Sequence, residues 1–317
     1  MKKLFVFLIA SLMIFILSAC GSNGSAGSEG EKSATEKTEE LTIKHQLGET
    51  KVKKNPEKVV VFDFGVLDTL DKLGVKVAGV PKDNLPSYLK DKYSSDQYEN
   101  VGGLKEPDFE KISSIEPDLI IISGRQSEVY EEFENIAPTI FMGVDTTKYL
   151  ESFHENVKTL GKIFGKEEEA EKELAAIDDS IKQLKEKAEA TSKNALVILA
   201  NEGKVSAYGP KSRFGIIHDE FGLKAVDENI EVSTHGQSIS FEYIVEKNPD
   251  YLFVIDRGGV VGGQSSAKQT VENELVKKTK AYKDGHIVYL DPNYWYLSGG
   301  GLISVSEMVK EVEEAIQ

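Results

Sequence analysis

A gapless internal repeat constrains the fold of this chain more than any other feature of its sequence. Residues 109–125 read FEKISSIEPDLIIISGR, and residues 241–257, which lie 132 positions later, read FEYIVEKNPDYLFVIDR. Each copy has the pattern of a helix that leads through a Pro-Asp turn into an apolar strand. An arginine follows each strand, Arg125 in the first copy and Arg257 in the second. The repeat therefore predicts two lobes of the same architecture.

Strand-like and helix-like segments alternate on both sides of a long segment without proline. Runs such as KVVVFD and DLIIIS precede residue 149, and runs such as ALVILAN and HIVYL follow residue 190. This alternation is typical of parallel βα units. Residues 149–190 repeat apolar positions at spacings of three and four, which predicts one long helix. The sequence thus predicts an α/β fold with two Rossmann-like lobes, residues 41–148 and 191–317, joined by one long interlobe helix, with a ligand cleft between the lobes.

The first residues have the composition of an export signal. Two lysines precede a 14-residue apolar run, LFVFLIASLMIFIL, which is short for a membrane-spanning helix but suits the apolar region of a signal peptide. The following LSAC resembles a bacterial lipobox, and its Cys20 is the only cysteine of the chain. We expect residues 1–19 to be a cleaved lipoprotein signal peptide and Cys20 to carry the lipid. Residues 20–40, rich in Gly, Ser and charge, are expected to form a flexible tether at the outer face of the cytoplasmic membrane.

Net charge and motif content argue against several classes of function. The formal charge of -15 at pH 7 disfavours nucleic-acid binding, which needs a basic surface. The five histidines are never closer than 17 positions apart, and no G-x-S-x-G, H-E-x-x-H or phosphate-binding loop motif occurs. The sequence therefore predicts neither an enzyme nor a resident cofactor or metal ion.

The paired FE-x-I and PD-[hydrophobic]-R segments, the lipobox and the interlobe helix occur together in one known family. Over essentially all of residues 41–317 the chain resembles the substrate-binding lipoproteins of ABC importers for iron-siderophores and vitamin B12. Its cationic residues are most similar to those of Gram-positive proteins that bind ferric catecholate siderophores, petrobactin in particular. These residues are Arg125, Arg213, Arg257 and Lys105.

The resemblance implies a partner as well as a ligand. It implies a monomeric receptor that delivers a ferric siderophore to an ABC permease, which is a heterodimer or homodimer in the membrane. Haem, cobalamin or a hydroxamate siderophore are the alternative ligands. An extracytoplasmic metalloenzyme is a more remote alternative.

A ferric catecholate places specific demands on the cationic residues of its receptor. The iron is enclosed by oxygen ligands and the complex is an anion, so the receptor needs cationic hydrogen-bond donors rather than metal ligands. Arg125 and Arg257 follow strands, at the edge where parallel sheets bind ligands, and Arg213 lies in the loop YGPKSRFG. We therefore expect the three arginines to face the cleft. A surface or interlobe salt bridge is the alternative role for each of them.

Two further polar residues lie in predicted cleft loops. Lys105 follows two glycines in GGLKEPDF and directly precedes the first repeat unit. His235, in STHGQS, occupies the corresponding loop of the second lobe and is expected to donate to a catecholate oxygen. The alternatives are a solvated lysine and an ordinary turn histidine.

Three adjacent aromatic residues, Tyr294, Trp295 and Tyr296, precede a glycine turn in NYWYLSGGG. Neighbouring side chains of an extended chain alternate between faces, so at least one of the three points away from the core. We predict that Trp295 and Tyr296 form an aromatic wall against the catechol rings. Packing at a sheet edge is the alternative.

Glu110 and Glu242 occupy equivalent positions in the repeat, each directly after the phenylalanine of FE-x-I. In the proteins that this chain resembles, one such glutamate per lobe docks on arginines of the permease. A matched pair of acidic contacts would set the orientation of a two-lobed receptor on a two-subunit transporter. Helix capping is the alternative, since an acidic side chain in the first turn complements the helix dipole.

Overall fold

The computed structural model describes residues 39–263 and 266–316, which form two α/β lobes. The expected signal peptide, the lipid attachment at Cys20 and nearly all of the expected tether lie outside these residues. No helix in the described ranges combines the length and apolarity that crossing a membrane requires.

The N-terminal lobe is built on a five-stranded parallel sheet. The strands of this lobe are β1 (Glu40–His45), β2 (Gly48–Lys53), β3 (Val59–Val61), β4 (Gly79–Val80), β5 (Glu99–Asn100), β6 (Leu119–Ile122) and β7 (Thr139–Phe141). Its helices are α1 (Phe64–Lys72), α2 (Ser87–Tyr93), α3 (Phe109–Ile115) and α4 (Tyr130–Glu134). The sheet order is β5-β4-β3-β6-β7, and β1 and β2 form a separate antiparallel hairpin. All residues of β3 and β6 are buried, as expected for central strands of a parallel sheet.

The interlobe segment contains two helices rather than the single helix that the sequence predicts. They are α5 (Tyr149–Phe164) and α6 (Glu167–Thr191). Gly165 ends α5 in a left-handed conformation, with a φ of 61°, and its N–H donates to the Gly161 carbonyl. A left-handed glycine is a common helix C-terminus, so Gly165 was a readable signal for this break. The long helix of the prediction is α6, with 25 residues, while α5 contributes buried residues to the cores of both lobes.

The C-terminal lobe has a mixed sheet, although the repeat predicts the same architecture as the first lobe. Its strands are β8 (Asn194–Asn201), β9 (Lys204–Tyr208), β10 (Lys224–Ala225), β11 (Gln237–Ile239), β12 (Tyr251–Asp256) and β13 (Ile287–Leu290). Its helices are α7 (Ile216–Asp219), α8 (Phe241–Lys247), α9 (Gly258–Val261), α10 (Ala267–Val271), α11 (Lys280–Lys283) and α12 (Leu302–Ala315). The sheet order is β11-β9-β8-β12-β13, with β10 also paired to β8.

The difference between the two sheets comes from a β-hairpin in the second lobe. Strand β9 runs antiparallel to both β8 and β11. Glu202 and Gly203 connect β8 to β9, and both have positive φ, 47° and 79°, as in two-residue hairpin turns. The repeat covers only β6 and β12 with the helices that precede them, so it gave no information about this hairpin.

The lobes meet where α1 reaches the N-terminus of α12. The Asp68 carboxylate of α1 accepts hydrogen bonds from the N–H groups of Ile303 at 3.2 Å and Ser304 at 3.0 Å. Such close approach requires a glycine at position 301, because a Cβ on Gly301 would overlap the Asp68 carboxylate. A helix of the second lobe is thus capped by a buried carboxylate of the first, which holds the two lobes together.

Candidate ligand-binding site

Three arginines from both lobes converge on one tyrosine, Tyr296. Arg125 Nη2 donates to the Tyr296 carbonyl oxygen at 3.0 Å, and Arg213 Nη2 donates to the same oxygen at 2.8 Å. Arg257 Nε donates to the Tyr296 hydroxyl at 2.8 Å. The guanidinium of Arg213 also lies 4.4 Å from the centroid of the Tyr296 ring, within cation–π range. The three arginines that the sequence singles out therefore lie together between the lobes.

The positions of these arginines follow from the topology of the two sheets. Arg125 lies three residues after β6, and Arg257 directly follows β12. Because parallel strands end at one edge of their sheet, both residues emerge at the edge where open α/β sheets bind ligands. Arg213 lies in the loop between β9 and α7 and joins them from the second lobe.

Tyr296 belongs to a π-helical segment, Asn293–Ser298. Its wide turn is closed by the Gly299 N–H, which donates to the Tyr294 carbonyl at 2.7 Å. Tyr296 lies in the last turn, where helical carbonyl groups lack partners from the helix backbone. Two guanidinium groups, one from each lobe, satisfy its carbonyl instead.

Positive charge predominates in the arginine cluster, although the buried Asp63 carboxyl interacts electrostatically with Arg125. Among the residues that the structure describes, Arg125, Arg213 and Arg257 form no ion pair with a carboxylate, so the salt-bridge alternative is not realised there. Burial, and next the charge of Arg125, lower the pKa of Arg213. Burial raises the pKa of Tyr296, but the hydrogen bond from Arg257 and the surrounding guanidinium charges outweigh this effect, and the pKa lies below that of an ordinary tyrosine. Such a cluster favours the binding of an anion.

A cavity of about 220 Å³ opens beside Tyr296, on the side of the second lobe. Its lining residues are Leu199, Asn201, Lys204, Ser206, Tyr208, Arg213, His235, Arg257 and Tyr296. His235, an expected ligand donor, is therefore at the cavity with an exposed side chain. Whether it donates to a ligand stays a prediction.

Several cavity residues come from the β8–β9 hairpin and were not recognised in the sequence. Lys204, Ser206 and Tyr208 lie two positions apart on β9, so their side chains share one face of the strand. Asn201 ends β8, and its Oδ1 accepts a hydrogen bond from Arg257 Nη1 at 2.8 Å. Gly203 was the one sequence signal for the hairpin and for this face, and it was a weak one because Glu202-Gly203 is not a preferred pair for a two-residue hairpin turn.

The three adjacent aromatic residues have three different environments. Tyr296 lines the cavity. Trp295 is only 2% exposed, and its indole N–H donates to Glu311 Oε2 at 2.6 Å, while Tyr294 packs against Tyr88 with ring centroids 4.8 Å apart. The expectation that Trp295 forms part of an aromatic wall is wrong, because the segment is π-helical and its side chains do not alternate between two faces as in a strand.

Lys105 is exposed and is not among the residues that line the cavity. Its loop is held next to the Arg125 loop, because Gln126 Nε2 donates to the Leu104 carbonyl at 2.5 Å. Lys105 thus lies near Arg125, the arginine that the N-terminal lobe contributes to the cluster. A contact between Lys105 and a ligand stays a prediction.

Glu110 and Glu242 are exposed in the first turns of α3 and α8. The N-caps of these helices are Asp108 and Ser240, whose side chains accept backbone N–H groups. For Glu242, its own N–H and the Ser240 hydroxyl lower the pKa of the carboxyl, so it retains some capping character. A shallow groove beside Glu110 is lined by Phe109, Glu110, Ser113, Glu132, Asn135 and Ile136.

Metal-ligating side chains are not clustered in the described ranges. No group of three or more His, Cys, Asp or Glu residues there has the arrangement needed to hold a metal ion. The polar groups around the cavity are instead guanidinium, ammonium, phenol, hydroxyl, amide and imidazole groups.

Comparison with known proteins finds close relatives. Residues 59–294 match a family model described as periplasmic binding protein. The chain is 57% identical to the petrobactin-binding protein YclQ of Bacillus subtilis (strain 168), with 100% of both chains covered. The crystal structure of YclQ gives a TM-score of 0.86 at 60% identity, over 88% of this chain and 99% of that one. The catecholate-siderophore binding protein VctP of Vibrio cholerae gives a TM-score of 0.82 at 39% identity, over 87% and 100%.

Proposed function

Since this chain belongs to the periplasmic binding protein family, we propose that it is an extracytoplasmic receptor that binds a ferric catecholate-type siderophore, petrobactin or a close analogue, between its lobes. It is a substrate-binding protein and not an enzyme. The ferric siderophore is its ligand and cargo, and no cofactor is part of the proposal. Relatives whose names state petrobactin or catecholate siderophores as ligands support this assignment.

The observation that carries the proposal is the cluster of Arg125, Arg213 and Arg257 around Tyr296, without carboxylate partners among the described residues. Catecholate oxygens bound to ferric iron retain negative charge, so guanidinium groups can form charge-assisted hydrogen bonds with them. Because the donors come from both lobes, one bound anion would contact both. Their contacts with Tyr296 orient the guanidinium groups in advance, which lowers the cost of ordering them on binding.

Net charge distinguishes a ferric catecholate from a ferric hydroxamate. A ferric tris-hydroxamate centre is neutral, whereas a ferric catecholate centre is an anion. A neutral complex would leave three arginines without compensation in a partly buried cleft, which disfavours its binding. Because charge alone accounts for this preference, the proposal does not need any side chain of the protein to coordinate the iron.

Direct titration tests the proposed ligand. The purified protein is titrated with a ferric catecholate, a ferric hydroxamate and haem, and binding is followed by absorbance and by the emission of the only tryptophan, Trp295. We expect saturable binding at one site for the ferric catecholate, with the catecholate-to-iron absorption band retained, and much weaker binding of the other two. Tighter binding of the hydroxamate or of haem would overturn the proposal.

We also propose that the receptor works as a lipid-anchored monomer, attached through Cys20, and delivers its cargo to an ABC permease through Glu110 and Glu242. Both glutamates are exposed on equivalent helices whose N-caps are other residues. The groove beside Glu110 offers apolar contact from Phe109 and Ile136 next to the carboxylate. A permease surface with arginines would match both the charge and this contact.

Uptake by cells tests the docking role. Replacing Glu110 and Glu242 together with alanine should leave ligand affinity and melting temperature nearly unchanged while abolishing siderophore uptake. The matched control is Glu57→Ala with Glu228→Ala, which removes one exposed carboxylate from each lobe outside α3, α4 and α8. Uptake at the wild-type rate in the variant that lacks Glu110 and Glu242 would show that these glutamates cap their helices and do not dock on the permease.

A further inference from the structure

The segment that carries Tyr296 belongs to the second lobe, but helix α2 of the first lobe holds both of its ends. At the start of the segment, the Ser87 N–H donates to Asn293 Oδ1 at 2.9 Å. At its end, the Tyr88 hydroxyl lies 2.7 Å from Ser298 Oγ. Between these points, the Tyr88 ring packs on that of Tyr294. The conformation around Tyr296 is therefore tied to α2.

The Tyr88 hydroxyl joins this segment to a fixed point of the lobe junction. It lies 2.9 Å from Asp68 Oδ2, the same carboxylate that caps α12. A phenol has one proton, so Tyr88 can donate to Asp68 and accept from Ser298 at the same time. Burial, and next the charge of Asp68, raise the pKa of Tyr88 far above its ordinary value, which keeps this proton in place.

Ser298 is a sensitive point of attachment because it lies two residues after Tyr296. It is 5% exposed, and its neighbour Gly299 closes the π-helical turn on the Tyr294 carbonyl. A shift of Ser298 would rotate the last turn and move the Tyr296 carbonyl, which receives the donors from Arg125 and Arg213. The chain of contacts thus runs from Asp68 through Tyr88 and Ser298 to the arginine cluster.

We propose that Tyr88 is a positioning residue for the binding site: by joining Asp68 to Ser298, it holds the Asn293–Ser298 segment so that Tyr296 orients the arginines of both lobes. Tyr88 itself is not among the residues that line the cavity. The inference concerns the geometry of the protein, and only its effect on affinity rests on the proposed function.

A matched control lies on the same helix. The Tyr93 hydroxyl donates to Asp71 Oδ1 at 3.0 Å, so α2 carries two tyrosines that each bond an aspartate of α1. Tyr93 has no described contact with the Asn293–Ser298 segment. If Tyr88 only stabilised the packing of α2 on α1, Tyr88→Phe and Tyr93→Phe would behave alike.

The first measurement uses the protein without ligand. Trp295 is the only tryptophan and lies inside the segment, so its emission and its quenching by acrylamide report the local conformation. Tyr88→Phe should shift the emission and increase quenching, whereas Tyr93→Phe should leave both at the wild-type values. Equal behaviour of the two variants would overturn the proposal.

The second measurement uses a ferric catecholate as the probe. Tyr88→Phe should weaken its binding by about tenfold, the scale of one lost hydrogen bond to a charged group, while Tyr93→Phe stays within about twofold despite a similar loss in melting temperature. Ser298→Ala should reproduce the effect, and the double variant Tyr88→Phe with Ser298→Ala should be little worse than either single variant. Fully additive losses would contradict the shared contact.

The outcomes separate this inference from the proposed function. If the wild-type protein binds no ferric catecholate, the proposed function fails, while Trp295 emission still decides the role of Tyr88. If binding is tight and unchanged in Tyr88→Phe, the positioning role fails and the proposed function stands.

Discussion

The two lobes share a sequence repeat but contribute differently to the cleft. In the first lobe, Arg125 makes one hydrogen bond, to the Tyr296 carbonyl. In the second, Arg257 is held at two nitrogens, by the Tyr296 hydroxyl and by Asn201. The cavity beside Tyr296 is lined by residues of the second lobe. The repeated unit therefore determines the position of each arginine, and the elements around it determine which hydrogen bonds that arginine makes.

The β8–β9 hairpin and the α1–α12 junction account for this difference. The hairpin supplies one wall of the cavity and the partner of Arg257. The first lobe, whose five-stranded sheet is parallel throughout, instead supplies Asp68 and Tyr88, which fix the segment that carries Tyr296. We infer that the second lobe forms the pocket and the first lobe supports it.

Removal of Arg213 should have the largest effect on affinity. Its guanidinium bonds the Tyr296 carbonyl and stacks on the Tyr296 ring, so both the site and its geometry depend on it. Arg213→Ala should weaken ferric catecholate binding by about a hundredfold, since loss of one partner of a desolvated charged pair costs several kcal/mol. Calorimetric titration gives the change in affinity.

The control for Arg213 is Lys211, an exposed cation two residues earlier in the same loop. Lys211→Ala removes the same charge from outside the cluster and should change affinity by less than about threefold at physiological salt, because exposed charges are screened. If the two variants lost affinity equally, general electrostatic attraction and not the cluster would explain binding.

Arg125→Ala should have a smaller effect, about tenfold, because Arg125 contributes one hydrogen bond from the supporting lobe. The ratio between the Arg213 and Arg125 variants measures the asymmetry of the lobes. If Arg125→Ala lost as much affinity as Arg213→Ala, the two lobes would contribute equally to binding. That result would contradict the inference that the second lobe forms the pocket and the first lobe supports it.

Asn201→Ala should weaken binding by only a few-fold, since Arg257 keeps its bond to Tyr296 and loses only the Asn201 acceptor. Asn201→Asp is a second variant at the same position that tests the role of charge. An acidic residue here would neutralise Arg257 and repel the anion, so it should weaken binding more than alanine does. Affinity in Asn201→Asp equal to or above that of Asn201→Ala would contradict the role of free positive charge.

The lobe junction should make the stability of the protein depend on pH. Burial raises the pKa of Asp68 to about 7, although the Ser304, Tyr88 and Ile303 donors oppose this. An aspartate in the unfolded chain titrates at about pH 4. Between these values the folded protein binds more protons than the unfolded chain, so the contribution of Asp68 to the free energy of unfolding falls as pH rises from about 4 to about 7.

Urea unfolding of the wild type and of Asp68→Asn tests this sign. The wild type should exceed the variant in stability by more at about pH 5 than at about pH 8, because the variant lacks this titration. A difference that is constant or grows with pH would show that the carboxylate is ionised throughout.

The repeat predicted the part of the fold that positions two of the three arginines. It identified β6 and β12, the helices before them, and the arginines after them, because those features are local in sequence. The break at Gly165 was readable as a left-handed helix end but was outweighed by the absence of proline in residues 149–190. The β8–β9 hairpin was missed because its turn, Glu202-Gly203, departs from the usual Asn-Gly signal.

The centre of the site could not be predicted from sequence. The shared acceptor of Arg125 and Arg213 is the backbone carbonyl of Tyr296, and a carbonyl has no signature in the residue types. The π-helical turn that exposes it depends on tertiary contacts with Tyr88. For the same reason the sequence wrongly predicts Trp295 to line the cleft, whereas it packs into the core beside Glu311.

The central claim is that an anionic ferric siderophore binds to the three guanidinium groups around Tyr296. The most direct test is the titration of a ferric catecholate into the wild type and into a triple variant, Arg125→Ala, Arg213→Ala and Arg257→Ala, with quenching of Trp295 emission as the signal. We predict saturable binding by the wild type and none by the triple variant, which should unfold cooperatively at a similar temperature. Binding of the complex by the folded triple variant with wild-type affinity would contradict the account.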